Sequence, residues 1–432
     1  MGLRNHCGMP FRDWITDRLR KPAPAALAPT DHYDSAEVAA MLREIGVALI
    51  EVFRPIQVVE GRLLEIAARY TTQPVRVSAL PTMLFIQIGT ETHEMDASVQ
   101  PSSRFDVAAR VDEIVDLAAA GAIAPADAVA AVNAARRQPP RFGVLATIGG
   151  YALTTVGFGM VSNPSWKALL AHLLLGLVVG LIVEVAGLVP DLAPIVPTVS
   201  ALVVTLLATW FVADVAGDGL LRVITPALIA TLPGMPLMIG AIELAAGKVI
   251  SGASRTVYGL AQMGLLGYGV GLGVQLAGQV PPHAPSTPMG SWSLYAGIVV
   301  IAVGLYLYLS APQGSLIWLL VTIAVATLAQ TLAGHALGPG HSGFLAAIVA
   351  IPFAMLASRL TGAPPVGVLI LATFWALVPG QLTFMSLSRN LSGDVANTAT
   401  LGVAAAAIVS IALGALVSWS LLRGVTGRRQ LD

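Results

Sequence analysis

The stretch ATLPGMPLMIGAIELAAGKVISGASR, Ala230 to Arg255, decides how this sequence is read. It begins inside an apolar run long enough to cross a bilayer, yet carries Pro233-Gly234 in mid-run. Proline removes an N–H and clashes with the preceding turn, and glycine admits dihedrals a helix does not use, so the pair predicts a broken span. Backbone groups freed by such a break are tolerated at membrane depth only where protein or a water-filled cavity meets them. The N-terminal end of a half-helix favours a carboxylate and the carbonyl end favours a cation; a zwitterionic amino acid offers both. A packing kink is the plainer alternative, because both residues are common in membrane helices.

The dipeptide recurs 146 residues later in WALVPGQL, as Pro379-Gly380 followed by Gln381. Around these two points the chain divides into ten apolar segments, at 142–162, 168–189, 193–216, 219–245, 255–279, 292–311, 314–335, 341–361, 365–388 and 395–422. Each has 20 residues or more, which at the rise of an α-helix reaches about 30 Å, the thickness of a hydrocarbon core. The same offset carries Gly247 onto Gly393, Glu184 onto Gln330 and Glu243 onto Arg389. Five spans per half is an odd number, so two tandem units enter the membrane with opposite orientations. The expected fold is an all-α membrane domain of ten transmembrane helices in a 5+5 inverted repeat, preceded by a small N-terminal α+β cytosolic domain. The expected boundaries are a tail and linker over 1–33, the α+β domain over 34–141, the first repeat over 142–284 and the second over 285–432.

Charge follows that division. Of 24 Asp and Glu, 17 precede position 142, as do 15 of the 24 Lys and Arg. The whole chain is only 11% charged with 56% hydrophobic residues, less than half the charge of an ordinary soluble domain. Zero net charge gives no reason to expect nucleic acid as a partner. With the N-terminal domain in the cytoplasm, nine Lys and Arg (Arg136, Arg137, Arg141, Lys248, Arg255, Arg359, Arg423, Arg428, Arg429) fall inside and three (Lys167, Arg222, Arg389) outside. That is the positive-inside distribution, and it puts both termini in the cytoplasm; the expected location is a bacterial inner (cytoplasmic) membrane. The single cysteine, Cys7, excludes an internal disulfide. No stretch of signal-peptide length opens the chain; Pro10 to Lys21 reads instead as a basic amphipathic helix or a tail.

In the N-terminal domain, helical spacing over 34–70 is divided at Pro55, short β-type runs follow at PVRVSAL, TMLFIQIG and EMDASVQ, and Thr90 to His93 reads as a turn. Two further helices are expected at Val107–Ala119 and Pro125–Arg136. Glu91, His93, Glu94 and Asp96 cluster there, but in a turn they read as a solvated loop, not a metal site. No nucleophile–base pair, phosphate loop, cofactor motif or CxxC is present, so an enzyme is not expected and the domain reads as regulatory or structural.

Ionisable groups inside spans cost at least ~2.5 kcal/mol each and mark candidate sites. Glu184 is the first choice for a proton-titrating group, since apolar surroundings raise a carboxyl pKa toward neutrality. Gln330 is its polar mate across the repeat, and Glu243, near the inner end of its span, is a further candidate or an interfacial anchor. Asp214 lies near an outer end. GYGVGLG, Gly267 to Gly273, sits in an apolar span with no strand before it and reads as helix packing, as does Gly176-xxx-Gly180.

Three passages resemble the threonine/serine exporter (ThrE) family: GVALIEVFRPIQVVEGRLLEIA, VRVSALPTMLFIQIG and Thr231 to Arg255. The last is similar to a motif of PG, an acidic residue, Gly, Ser-Gly and Arg, here Pro233, Gly234, Glu243, Gly247, Ser251, Gly252 and Arg255. The resemblance extends from about Ser35 to Leu422. It departs from the family at Glu243, where Asp is expected, and in GTETHEMD, which lacks expected basic residues. It implies a proton-coupled exporter of L-threonine, L-serine or similar small solutes, with protons and the lipid bilayer as its other partners, and leaves room for a homo-oligomer. Two-component relatives are associated with dicarboxylate export, which is the alternative substrate class. A membrane receptor with a sensory N-terminal domain is the alternative of another kind.

Overall fold

The computed structural model describes residues 33–96, 104–162, 164–212, 220–278, 287–377 and 398–427. The amphipathic segment Pro10 to Lys21, the Pro379-Gly380-Gln381 break, Asp214, Arg389 and Gly393 lie outside the described residues.

The N-terminal region starts with α1 (Ser35–Glu51), whose Val38, Met41, Leu42, Ile45 and Leu49 fall on one buried stripe. The helix ends in a tight turn, with Phe53 at φ 60 and Pro55 fixing the entry to α2 (Ile56–Tyr70), so the break expected at proline is found there. Strands β1 (Val75–Ala79), β2 (Met83–Ile88) and β3 (Glu91–Asp96) form one antiparallel sheet in that order, with Val77 opposite Ile86 and Ile86 opposite His93. Alternation on β2 buries Leu84, Ile86 and Ile88. Leu84 reaches α1 at Gly46, where any side chain would overlap it. The turn expected at Thr90 to His93 is shorter: Gly89 takes φ 60, and Glu91 already pairs with Ile88. The cluster of Glu91, His93, Glu94 and Asp96 therefore lies along a strand, not in a loop. Helices α3 (Phe105–Ala119) and α4 (Pro125–Arg137) complete the region; α4 packs on α1, where Arg136 binds Glu51 at 2.6 Å and Glu44 at 3.4 Å.

The rest is apolar helix: α5 (Val144–Ser162), α6 (Trp166–Gly187), α7 (Val196–Leu207), α8 (Leu220–Ile224), α9 (Gly234–Ala245), α10 (Val249–Ala277), α11 (Trp292–Tyr308), α12 (Leu316–Leu337), α13 (Ser342–Ala357), α14 (Val366–Leu377) and α15 (Thr398–Gly427). Among the described residues five helical stretches are long and apolar enough to cross a membrane: 144–162, 166–187, 191–212, 249–277 and 316–337. Shorter apolar helices occupy 234–245, 292–308, 342–357, 366–377 and 405–420. The expectation of 20 residues in every span is thus corrected. Helix α11 stops at 17 residues where Ser310 turns to φ 50, α13 has 16, and α9 has 12.

Helix α6 shows why this protein is solvated by lipid. Trp166, Leu170, Leu174, Leu177, Leu181, Val185 and Leu188 are exposed along one stripe, while Ala171, Leu175, Gly176, Val179 and Gly180 are buried against α5. Water would not wet so long an apolar stripe without cost; a bilayer is its natural solvent. Packing inside such a bundle relies on close approach of small residues. Helices α5 and α11 run antiparallel with Gly150 against Gly304 and Gly157 against Gly297, each at a carbonyl of its partner. A Cβ at Gly157 would lie 2.7 Å from the Ile301 nitrogen. Gly176 and Gly180 likewise sit on Ala152, Thr155, Ile148 and Tyr151, and Gly269 and Gly273 sit on Thr198, Ala201 and Thr205, so both glycine motifs serve packing.

Gly157→Leu should force α5 and α11 apart and destabilise the protein by about 1–3 kcal/mol or more. Thermal unfolding in detergent should show a clear fall in Tm, whereas Gly264→Leu, with nothing near its Cβ, should leave Tm close to wild type.

Candidate functional site

The apolar stretch around Pro233-Gly234 is broken, as that pair implies. Helix α8 gives way to a tight turn at Pro226–Leu228, and α9 restarts at Gly234 with Pro233 as its N-cap at φ −77, ψ 43. The carbonyls released by the break are taken up by side chains and tighter turns. Tyr151 of α5, 1% exposed, donates its hydroxyl to Ala227 O at 2.7 Å. Thr231 donates to Leu228 O at 2.7 Å, and Thr225 to Leu221 O at 2.5 Å. This is how irregular backbone survives away from water. The first turn of α9 has no side-chain cap.

The apolar segment that carries Pro379-Gly380 is described up to Leu377, and Gln330 of α12 donates its side-chain amide to Leu377 O at 3.3 Å. Gln330 thus meets the residue two positions ahead of the Pro379-Gly380 pair. Glu184, which the 146-residue offset aligns with Gln330, lies elsewhere. Near the last turn of α6 it lines a recess of about 210 Å³ together with Arg104, Phe142, Thr147 and Tyr308. The recess opens between the membrane helices and the N-terminal region, to which Arg104 belongs. Glu184 and Gln330 are therefore not brought together at one polar position.

Glu243 is buried at 0% exposure near the end of α9. Its Oε1 accepts the Ile56 N–H at 2.9 Å, and its Oε2 accepts the Ser251 hydroxyl at 2.5 Å and lies 3.3 Å from Arg255 Nε. Gly247, at φ 79, makes the turn that brings α10 back beside α9. Gly252 lets the two helices touch at Gly240 and Leu244. Six of the motif residues, from Gly234 to Arg255, thus build one hairpin that presents a carboxylate to the N-terminal region, with Pro233 capping its first helix. Lys248, beside the turn, pairs with Glu60 of α2.

A second seam contact escaped the sequence reading. Arg54 holds both oxygens of Asp112, at 2.6 and 2.8 Å, and Asp112 Oδ2 accepts the Gly367 N–H at 2.7 Å in the first turn of α14. The signal for it was Arg54 in the apolar run Val52 to Ile56, a charge that a buried loop carries only with a partner. Among the described residues no group of three or more His, Cys, Asp or Glu is placed to hold a metal.

The family model described as "Putative threonine/serine exporter" (ThrE) matches residues 40–277, from α1 to the end of α10. The match stops short of the second half, so it covers less than the stretch from Ser35 to Leu422 over which a resemblance was expected. The chain matches no curated protein and no solved structure.

Glu243→Ala should leave Arg255 buried without its partner and α2 without its cap, costing about 3–5 kcal/mol. Glu243→Gln, which keeps an acceptor for Ile56, should cost clearly less. Chemical or thermal unfolding of the two purified variants compares them directly, and equal losses would contradict the assignment.

Proposed function

Because the chain belongs to the threonine/serine exporter family, we propose that it is a secondary transporter that moves small zwitterionic amino acids, threonine or serine, out across the bacterial inner membrane. The observation that carries this reading is the half-helix α9, 12 residues long, with its C-terminal end held at the N-terminal region by Glu243. Its other end therefore lies about 18 Å away, roughly midway through a hydrocarbon core, and presents an uncapped N-terminal turn there. The matching Pro379-Gly380 pair supports a second break, with a carbonyl end following α14. The positive dipole end suits the substrate carboxylate, and the carbonyl end suits its ammonium. Thr231 and Gln330 sit at these breaks and add hydroxyl and amide groups for a small polar side chain.

Pairwise packing supports an inverted repeat. Gly150 meets Gly304 while Gly157 meets Gly297, the reciprocal pattern of an interface across a two-fold axis. Gly269 of α10 packs on Thr198 to Leu202 of α7, and Gly414 of α15 packs on Phe344 to Ala347 of α13, the same contact one repeat later. Ten spans, with both termini and the N-terminal region in the cytoplasm, follow from this reading and from the distribution of Lys and Arg.

Glu184 is the carboxylate assigned to proton coupling. Glu243 is committed to Arg255, Ser251 and Ile56, whereas Glu184 has no ion-pair partner among the described residues and lines a recess on the cytoplasmic side. A carboxylate there can exchange its proton with the cytoplasm and carry the pH dependence of transport.

Cells loaded with a threonine dipeptide should release threonine faster when they express the protein, and equal efflux at equal expression would overturn the substrate. In proteoliposomes Glu184→Gln should abolish the dependence of flux on the pH gradient; an unchanged dependence would remove Glu184 from the mechanism.

A further inference from the structure

One short turn of the N-terminal region holds both halves of the membrane domain at once. Arg54 reaches Asp112, which caps α14 through the Gly367 N–H at 2.7 Å; two residues on, the Ile56 N–H is capped by Glu243 of α9 at 2.9 Å. The caps are reciprocal. A carboxylate from α3 sits at the N-terminus of a membrane helix, and a carboxylate from a membrane helix sits at the N-terminus of α2, each satisfying an orphan N–H and the helix dipole. The turn between them is rigid, with Phe53 at φ 60 and Pro55 next to Ile56. A bulky residue keeps a positive φ only where its surroundings hold it. Gly367 is the necessary counterpart, because a side chain there would overlap the Arg54 guanidinium and the Asp112 carboxylate.

We infer that this turn is a strap closing the transport path on the face that carries the N-terminal region, and that the α9–α10 hairpin must leave it for the path to open there. The inference rests on the transporter reading above and adds a mechanical role for the N-terminal region. The hairpin is the half built to leave. When Glu243 gives up Ile56, it keeps Ser251 at 2.5 Å and Arg255 at 3.3 Å, both on the hairpin itself, so its charge stays neutralised. The Ile56 N–H then finds water at the membrane surface. The Glu60–Lys248 pair that also crosses this seam is partly exposed, at 14% and 36%, and such pairs are weak. Helix α14, in contrast, has in Asp112 the one cap found for its Gly367 N–H, and the buried Arg54–Asp112 pair lies so close over Gly367 that a side chain there would overlap it, so parting here strips a buried helix-start N–H of its acceptor. Holding one repeat while releasing the other matches the rocking of one unit against its mate in alternating access.

The test uses the full-length protein with its single cysteine replaced, Cys7→Ser. In proteoliposomes, Glu60→Cys/Lys248→Cys joined by a short bis-maleimide should transport threonine about tenfold more slowly or worse than the same protein without cross-linker. Equal rates would overturn the strap. A second readout needs no substrate. Thr231→Cys, at a break position 8% exposed, is labelled with a membrane-impermeant maleimide. Lys248→Glu sets like charges against each other and should speed labelling about tenfold, and the swap Glu60→Lys/Lys248→Glu should restore the slow rate. Equal labelling in all three overturns the strap. If threonine is not carried even by wild type, the substrate assignment falls alone and the labelling still decides the strap.

Discussion

Backbone N–H and C=O groups have no water to turn to inside an apolar bundle, and the architecture follows from that constraint. Where the chain breaks ahead of α9, Tyr151 crosses from α5 to take the Ala227 carbonyl, and the hydroxyls of Thr225 and Thr231 fold back onto their own turns. At Leu377 of α14, Gln330 takes the backbone carbonyl. These side chains make the breaks tolerable without filling them, since the first turn of α9 stays uncapped by any side chain. A carrier needs this balance: backbone ordered enough to exist in a membrane, with polar capacity left for a solute.

The same rule operates at the seam between the membrane helices and the N-terminal region. Helix starts at Ile56 and Gly367 are each capped by a carboxylate from the other body. Both carboxylates are buried, and each has a cation beside it, Arg255 for Glu243 and Arg54 for Asp112. Each ion pair lies within one body, and what crosses between them is a backbone N–H on a buried carboxylate; leaving such a group unsatisfied costs about 1–3 kcal/mol, so these caps fix how the two bodies meet. The N-terminal region is accordingly bound to the half-helices themselves rather than tethered at their margin.

Much of this was legible in the sequence. The fall in charge after Arg141, the helix break at Pro55 and the span break at Pro233-Gly234 all follow from local chemistry, because proline and glycine act on their own backbone. Glycine motifs were legible as packing for the same reason. The sequence was less informative where the outcome depends on a distant partner. Glu243 could be read as an anchor, but not as the cap of a helix start 187 positions earlier. Arg54 and Asp112, 58 positions apart, resembled ordinary charges of a polar domain. Glu184 and Gln330 matched by offset, yet one lies in a recess by Arg104 and the other beside Leu377. Span lengths were overestimated because apolar composition continues through turns, such as those after Tyr308 and Ala357, where the helix stops.

An experimental structure of the protein in lipid nanodiscs with saturating L-threonine tests the central claim most directly. The account predicts that the chain stays unwound between Ile224 and Gly234, with the amino acid's carboxylate at the first turn of α9 and its ammonium toward Leu377. A continuous helix through Pro233, or an amino acid bound away from both half-helix ends, would contradict it.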